Sequence, residues 1–433
     1  MQTRVRFVAF VTISFIYLAQ CFSTLRLVND GVGYLLQASS AVDGHGFLLH
    51  GAHTMRPPGY PALIFGLSKI GLGTSWAIVG LNCIFLGVGI WAAYFVLRHS
   101  FEFSDITAQL ISLGTLLSLV MIRNVTYPLS DICFFGASVP CLLGMLRAER
   151  ETGVRRLVIL ALLAPLIVLC IELRTIGLFL VPAFFWAALG GMEGWRKVYP
   201  VIQRYWLAVA LVGMIAIAAA VPLLVHSQYF QFNLPMFRHR GIYRSIAFNI
   251  EYQTGDWGEM ALNVPISRIP AAFGIVLRMC GGMAILLATV GFWLRRHNFD
   301  SVAVYVLGFS AVIFAYPWQD SRLWLPILPF LMGYTLLGLQ RLIPGEMRKP
   351  ILSVYGVYFC LLGIAALAFS TRLTFAGPRF ADIYGDGHFR ATYKFALQGE
   401  APTNAGAIDA DGLYLLRRYE WRAKAAGPML SQH

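Results

Sequence analysis

The chain has 433 residues and a formal net charge of +13; 58% of its residues are hydrophobic and only 13% are charged. Its mean hydropathy is +0.66. Apolar mass on that scale exceeds what a soluble core hides, which excludes an ordinary cytosolic enzyme, a disordered chain and a collagen-like chain and predicts a membrane protein.

A helix needs about 20 apolar residues to cross a bilayer. Eleven candidates follow one another along the chain: 6–25, 76–97, 105–122, 129–146, 156–173, 175–190, 206–225, 271–293, 301–317, 323–340 and 351–369. None alternates with the two-residue period of a barrel strand, so the expected fold is an all-α polytopic bundle of about 11 transmembrane helices. The first candidate exceeds a secretory apolar core and lacks a small-x-small cleavage site. Gln20 is too large for the position before Cys21 at a lipoprotein site, so the segment reads as an uncleaved helix.

Basic residues in short connections set the orientation. Arg4, Arg6, Arg98, Arg147, Arg150, Arg155, Arg156, Arg196, Lys197, Arg204, Arg295, Arg296, Arg341, Arg348 and Lys349 fall on alternate connections, whereas those near 123–128, 174 and 318–322 hold one basic residue each. This places the N-terminus in the cytoplasm and, with eleven spans, the C-terminus outside an inner (plasma) membrane. All seven cysteines fall inside predicted spans with no C-x-x-C pair, which suits packing rather than zinc or disulfides.

The expected organisation is a transmembrane domain over 1–369 and a small extracytoplasmic segment over 370–433, a small α/β or irregular cap suited to acceptor recognition. Within the first, residues 26–75 form an outer loop with interfacial helices, the second at about 59–71, and 226–270 form another outer loop. No internal repeat of the transporter kind is evident. Large outer loops with minimal inner ones point to chemistry at the outer surface. Arg238, Arg240, Arg244, Arg268 and eight Lys/Arg beyond residue 370 suit anionic headgroups or a phosphate-bearing substrate, and their side of the membrane argues against nucleic acid.

The first outer stretch reads Leu27-Val28-Asn29-Asp30-Gly31-Val32-Gly33-Tyr34-Leu35-Leu36-Gln37-Ala38. Asn29 and Asp30 suit a helix N-cap, and Val32, Leu35, Leu36 and Val42 give a weak apolar stripe for a helix lying along the bilayer surface. Asp30 is then either a capping carboxylate facing water or a general base at a membrane-interface cavity. Downstream, Met55-Arg56-Pro57-Pro58-Gly59-Tyr60-Pro61 stops one element and opens a short helix.

An Asp just after the first span, an interfacial helix carrying Tyr34, and this Pro-Pro-Gly-Tyr-Pro entry resemble the GT-C superfamily. The similarity is to bacterial relatives of the protein O-mannosyltransferases and lipid A aminoarabinose transferases, glycosyltransferase family 39-like. Two further places fit. Tyr127-Pro128-Leu129-Ser130-Asp131 matches by position a turn where the family often has a second acidic residue. Gln319-Asp320-Ser321-Arg322-Leu323-Trp324-Leu325-Pro326-Ile327-Leu328-Pro329 resembles the family's Arg-aromatic-x-x-Pro-x-x-Pro start of a late span, departing from it with Leu323 directly after Arg322 and the aromatic one place later. The resemblance covers residues 1–190 and 315–340.

The resemblance implies a polyprenyl-phosphate-linked sugar donor, transfer on the non-cytoplasmic face, Asp30 as base, and Asp131 binding acceptor or metal or supporting the base. Arg322 would hold the donor phosphate, and Tyr34, Arg56, Pro58, Tyr60 and Arg174 would line the substrate site. The acceptor is a hydroxyl of a glycan, glycolipid or protein, and membrane lipids are the remaining partners. No motif demands a cofactor, although a divalent metal stays an open alternative at Asp131.

Bland readings stand beside these. Asp131 also suits an N-cap, Arg322 an interfacial arginine paired with Asp320, and Glu172 and Arg174 an ion pair at a helix turn. Arg56 also suits an exposed loop. His45, His50 and His53 with Asp43 lack the tight spacing of a metal site, so no metal ligand is assigned. His226 and His239 suit interfacial loops, and Arg238, Arg240 and Arg244 suit headgroups over donor phosphate. The Asn124-Val125-Thr126 sequon matters only in a eukaryotic lumen, and no Walker A or Rossmann glycine pattern is present. The expected function is transfer of a sugar, hexosyl or pentosyl, from a polyprenyl-phosphate donor. The alternatives are a transporter or flippase of a lipid-linked sugar and a non-catalytic partner in polysaccharide assembly.

Overall fold

The apolar runs fold as helices. The computed structural model describes residues 2–205, 241–316, 318–384, 387–400 and 407–423, with positions 207, 214, 231, 235 and 239 between the first two blocks. In chain order the helices are α1 (Gln2–Ala19), α2 (Asn29–Val42), α3 (Gly59–Lys69), α4 (Ser75–His99), α5 (Asp105–Leu116), α6 (Leu119–Val125), α7 (Ser130–Arg150) and α8 (Gly153–Leu173). They continue with α9 (Leu180–Leu189), α10 (Gly191–Arg204), α11 (Ile242–Leu262), α12 (Gly274–Leu294), α13 (Ser301–Ala315), α14 (Leu328–Leu342), α15 (Gly345–Thr374), α16 (Phe380–Ile383), α17 (Arg390–Tyr393) and α18 (Ala410–Tyr419). Among the described residues the only β pairing is an isolated bridge between Leu49 and Ala52.

Six helices are long and apolar enough to cross a bilayer, and eight units qualify if each of two bent pairs is one span. The multi-pass helical fold agrees with the hydropathy, and among the described residues six to eight of the expected spans are found. The predicted spans at 76–97, 129–146, 156–173, 271–293, 323–340 and 351–369 correspond to the six. The 105–122 run is broken into α5 and α6 with a 54° bend, and 175–190 continues into α10 around an 83° bend. The apolar parts of 6–25 and 301–317 are shorter helices, Phe10–Phe22 and Ser301–Ala315. The expected span 206–225, together with His226, Arg238 and Arg240, lies outside the described residues.

Hydropathy alone does not rank these helices by position. In α7, 78% of the most apolar window is buried inside the protein, against 17% in α15. The first is therefore the centre of the bundle and the second an outer helix with Val354, Val357 and Leu361 exposed to the lipid side.

Two segments differ from the sequence expectation. Residues 242–262, expected within an outer loop, form α11, whose polar residues face inward. Ser245, Asn249, Gln253, Asp256 and Glu259, with Asn263 just beyond, recur every three or four residues and are all buried, while Tyr243, Ile246 and Ile250 are exposed. The helix is inverted relative to a soluble amphipathic one because its polar stripe satisfies the ends of other helices. Asn263 closes α11 in the left-handed conformation. Its Oδ1 accepts from Leu119 N (2.6 Å) and its Nδ2 donates to Leu117 O (3.0 Å) and Phe359 O (3.1 Å). Leu119 N and Leu117 O are groups freed where α5 breaks into α6, and Phe359 O belongs to α15. The second difference is the C-terminal segment, expected as α/β or irregular, which is helical in α16, α17 and α18 with no strand among the described residues.

Candidate active site

Asp30 lies in the first turn of α2. The cap position belongs to Val28, which makes no side-chain cap bond, so neither Asn29 nor Asp30 is the N-cap that the sequence suggested. Its carboxylate is instead held by two arginines: Arg56 Nη2 donates to Oδ1 at 3.0 Å, and Arg322 Nη2 is paired with Oδ2. Burial pushes the Asp30 pKa up, but Arg322 and Arg56 outweigh it and hold the carboxyl below its ordinary range. The helix reaches this position because Gly31 carries no side chain. A Cβ there would sit 2.8 Å from Pro128 Cγ, so the first turn of α2 rests directly on the Tyr127-Pro128 turn. Asn82 fixes that turn from α4, donating to Val125 O at 3.0 Å and Tyr127 O at 2.9 Å.

Arg322 comes from a 3-10 segment, Ser321–Ile327, that leads into α14. Pro326 and Pro329 remove two backbone donors there, and Asp320 opens the turn by accepting from Arg322 N at 3.0 Å. The same carboxylate takes Arg322 Nε at 2.6 Å, so one residue both caps the turn and aims the guanidinium. Trp324 anchors the turn from beneath. Its ring is fully buried between Trp257 and Phe314, and Nε1 donates to Gln253 Oε1 at 2.7 Å. The aromatic one place later than the family pattern is thus the anchor of this turn.

Arg174 follows α8, and its Nη1 is paired with Asp131, which is 1% exposed. The expected Glu172–Arg174 pair is not present: Glu172 is exposed and Asp131 takes the arginine. The side chain of Asp131 is therefore an ion-pair partner rather than an N-cap. Tyr34 extends from α2, its hydroxyl 3.2 Å from Ser130 Oγ, and meets Tyr60 edge to face at 5.5 Å. Gly59 lets α3 close on α8, where an added Cβ would be 2.5 Å from the Glu172 carbonyl.

Sequence reasoning missed Arg123, Asp256 and Glu259. The α5–α6 break aims Arg123 at Glu259 Oε1 (3.5 Å) and Ser321 Oγ (3.2 Å), with Asp320 at 4.0 Å. Asp256 Oδ2 accepts from Asp320 N at 3.1 Å. Burial, then Glu259 and Asp320 nearby, push the Asp256 pKa up to about 8. Burial also raises Glu259, against Arg123. The legible signal was the three- to four-residue spacing of polar positions in 245–263, which marks a helix face, together with Arg123 at a break in an apolar run.

These groups surround one cavity of about 1150 Å³, lined among others by Asp30, Tyr34, Arg56, Arg123, Arg174, Asp256, Glu259, Asp320, Arg322 and His388. That is at or above the roughly 300–1,000 Å³ of an ordinary small-molecule cleft, room for two headgroups together. Of the expected site residues, Asp30, Tyr34, Arg56, Arg174 and Arg322 line it; Asp131, Pro58 and Tyr60 stand behind the wall. Each of the four arginines is matched to a carboxylate, so an incoming phosphate competes with that carboxylate for the guanidinium charge. Among the described residues no group of three or more His, Cys, Asp or Glu is arranged to hold a metal. Asp43 is paired with Arg418, and His50 lies 3.3 Å from Asp411, so the His45–His53 cluster is divided among other contacts.

No family model matches the chain, and no curated protein does. Among solved structures it is similar to ArnT from Cupriavidus metallidurans bound to undecaprenyl phosphate, at 15% identity and a TM-score of 0.46, over 90% of this chain and 69% of that one. It is also similar to the archaeal oligosaccharyltransferase AglB from Archaeoglobus fulgidus in complex with an inhibitory peptide and a dolichol phosphate, at 12% identity and a TM-score of 0.49. That match spans the whole of this chain and 62% of the other.

Proposed function

We propose that the protein is a polyprenyl-phospho-sugar-dependent glycosyltransferase acting on a hydroxyl of a glycan, glycolipid or protein acceptor at the outer face of the membrane. The observation that carries this reading is a carboxylate, Asp30, held between Arg322 and Arg56 on the wall of a cavity large enough for two headgroups. Donor phosphate takes Arg322, with Arg56 and Arg174 within the same cavity, through charge-assisted and bidentate hydrogen bonds. That exchange frees Asp30, and loss of the guanidinium partners restores its basicity at the moment a substrate is present. Asp30 then removes the proton of the acceptor hydroxyl, whose oxygen attacks the anomeric carbon. The bond from that carbon to the phosphate oxygen breaks, and the electron pair leaves with the polyprenyl phosphate, stabilised by Arg322. One displacement gives inversion at the anomeric carbon. Asp131 acts by orienting Arg174. Tyr34, Pro58 and Tyr60 shape the wall on the α2–α3 side.

The test compares cells carrying wild-type protein, Asp30→Asn and no protein, at equal membrane levels, by mass spectrometry of extracted glycolipids and surface glycans. Loss of one sugar increment in both Asp30→Asn and the null, with accumulation of polyprenyl-phospho-sugar, supports the enzyme. Retention of the glycan in Asp30→Asn, with its loss in the null, overturns Asp30 as base and moves a transporter or assembly partner ahead.

A further inference from the structure

Residues 23–28, which lead into α2 and end two positions before Asp30, are neither helix nor strand, with extended backbone at Ser23 and Val28, and residues 23–27 are buried, yet no strand pairs with them. A buried segment of this kind must still satisfy its backbone groups. Here the C-terminal segment does so with side chains. Leu25 N donates to Glu420 Oε2 at 2.7 Å. The Tyr393 hydroxyl accepts from Leu27 N at 2.6 Å and donates to Leu25 O at 2.7 Å. Tyr384 donates to Leu27 O at 3.1 Å. Alternate residues of an extended chain present their backbone groups to the same side, so a short stretch of polar side chains replaces a neighbouring strand.

Tyr393 and Glu420 are completely buried. The far end of α2 is held by the same segment, with the Ser39 and Tyr419 hydroxyls 3.0 Å apart and Arg418 forked onto both oxygens of Asp43 at 2.9 Å. The exposed Asp43–Arg418 pair contributes little by itself, whereas the buried contacts at 25 and 27 carry the desolvation cost of unpaired backbone if they are lost.

We propose that the C-terminal segment is a clamp on the backbone that carries Asp30, with Tyr393 and Glu420 as positioning residues. The clamp stands on the contacts themselves; its consequence for catalysis rests on the reading of Asp30 as base. The sequence suggested acceptor recognition for this segment, and the geometry assigns it a second task, at the start of α2.

The test uses the full chain in lipid nanodiscs, as wild type, Tyr393→Phe, Glu420→Ala and Glu420→Gln. Hydrogen–deuterium exchange is followed at the Leu25 and Leu27 amides, with peptides of α7 and α8 as reference. Tyr393→Phe removes the acceptor of Leu27 N, and Glu420→Ala removes that of Leu25 N. Each should speed exchange locally by about tenfold or more, because one buried donor loses its partner. Glu420→Gln keeps an acceptor oxygen and should stay near wild type. In the transfer assay, Tyr393→Phe and Glu420→Ala should lower kcat without raising the donor KM, since Arg56, Arg174 and Arg322 remain. Unchanged exchange at Leu25 and Leu27, or exchange that rises equally through α7 and α8, overturns the clamp. A fall in activity expressed wholly as a higher KM overturns the positioning role. Absence of any transfer by the wild-type protein would overturn the enzyme reading alone, because the exchange result still decides the clamp.

Discussion

Replacing Asp30 by Asn should do two opposite things: lower turnover and tighten binding of polyprenyl phosphate. Asp30 engages both Arg56 and Arg322, and bound phosphate competes with it for at least the second of them. Its side chain is 38% exposed and those of the arginines 25% and 21%, so solvent screens each pair to about 0.5–1.5 kcal/mol. Removing the charge of Asp30 therefore relieves about 1–3 kcal/mol of competition, a fall in Kd of about 5- to 150-fold. Loss of the base lowers turnover by about 10²- to 10⁴-fold. Binding of undecaprenyl phosphate to the full chain in nanodiscs, followed by native mass spectrometry, gives the first number, and release of polyprenyl phosphate gives the second. Glu259→Gln is the control, because it removes the same charge from the same cavity but pairs with Arg123 instead. Equal tightening in both variants would reduce the effect to general electrostatics. Unchanged or weaker binding in Asp30→Asn would refute the exchange of carboxylate for phosphate on Arg322.

Three further expectations follow from the packing. Asp256, pushed up to about 8 by burial, Glu259 and Asp320, binds one more proton folded than unfolded between about pH 4 and pH 8, so its contribution to stability falls as pH rises through that window, by at most about 1.4 kcal/mol per unit. Thermal midpoints of wild type and Asp256→Asn from pH 5 to 8 should therefore converge at low pH and separate in favour of the variant at high pH; parallel curves would refute it. Asn263→Ala leaves buried groups at the α5–α6 break unpaired and should destabilise by about 2–4 kcal/mol, read as a lower thermal midpoint, with Arg123 losing its aim and donor affinity falling. Gly59→Ala forces a methyl against the Glu172 carbonyl and should cost about 1–3 kcal/mol, seen as reduced folded protein in the membrane, while Gly66→Ala, with open space around it, should not.

The amino-acid sequence by itself determined that this is a multi-pass helical membrane protein, because lipid tests every residue of a span in the same way and summed apolarity decides. It also singled out Asp30 and Arg322 through the resemblance of the motifs around them, with Arg56 and Arg174 as further candidates for the same site. It did not determine who pairs with whom. Asp30 and Arg322 are 292 positions apart, and Arg174 takes Asp131 from another helix rather than the nearby Glu172, since these choices are made by packing between spans. The stripe from Ser245 to Asn263 was readable as a helix face, but periodicity reports only that a face is polar and not whether water or a broken helix lies against it. The role of Tyr393 and Glu420 was decided in the same way: their partners are backbone atoms, and which backbone approaches a side chain is known only once the chain has folded.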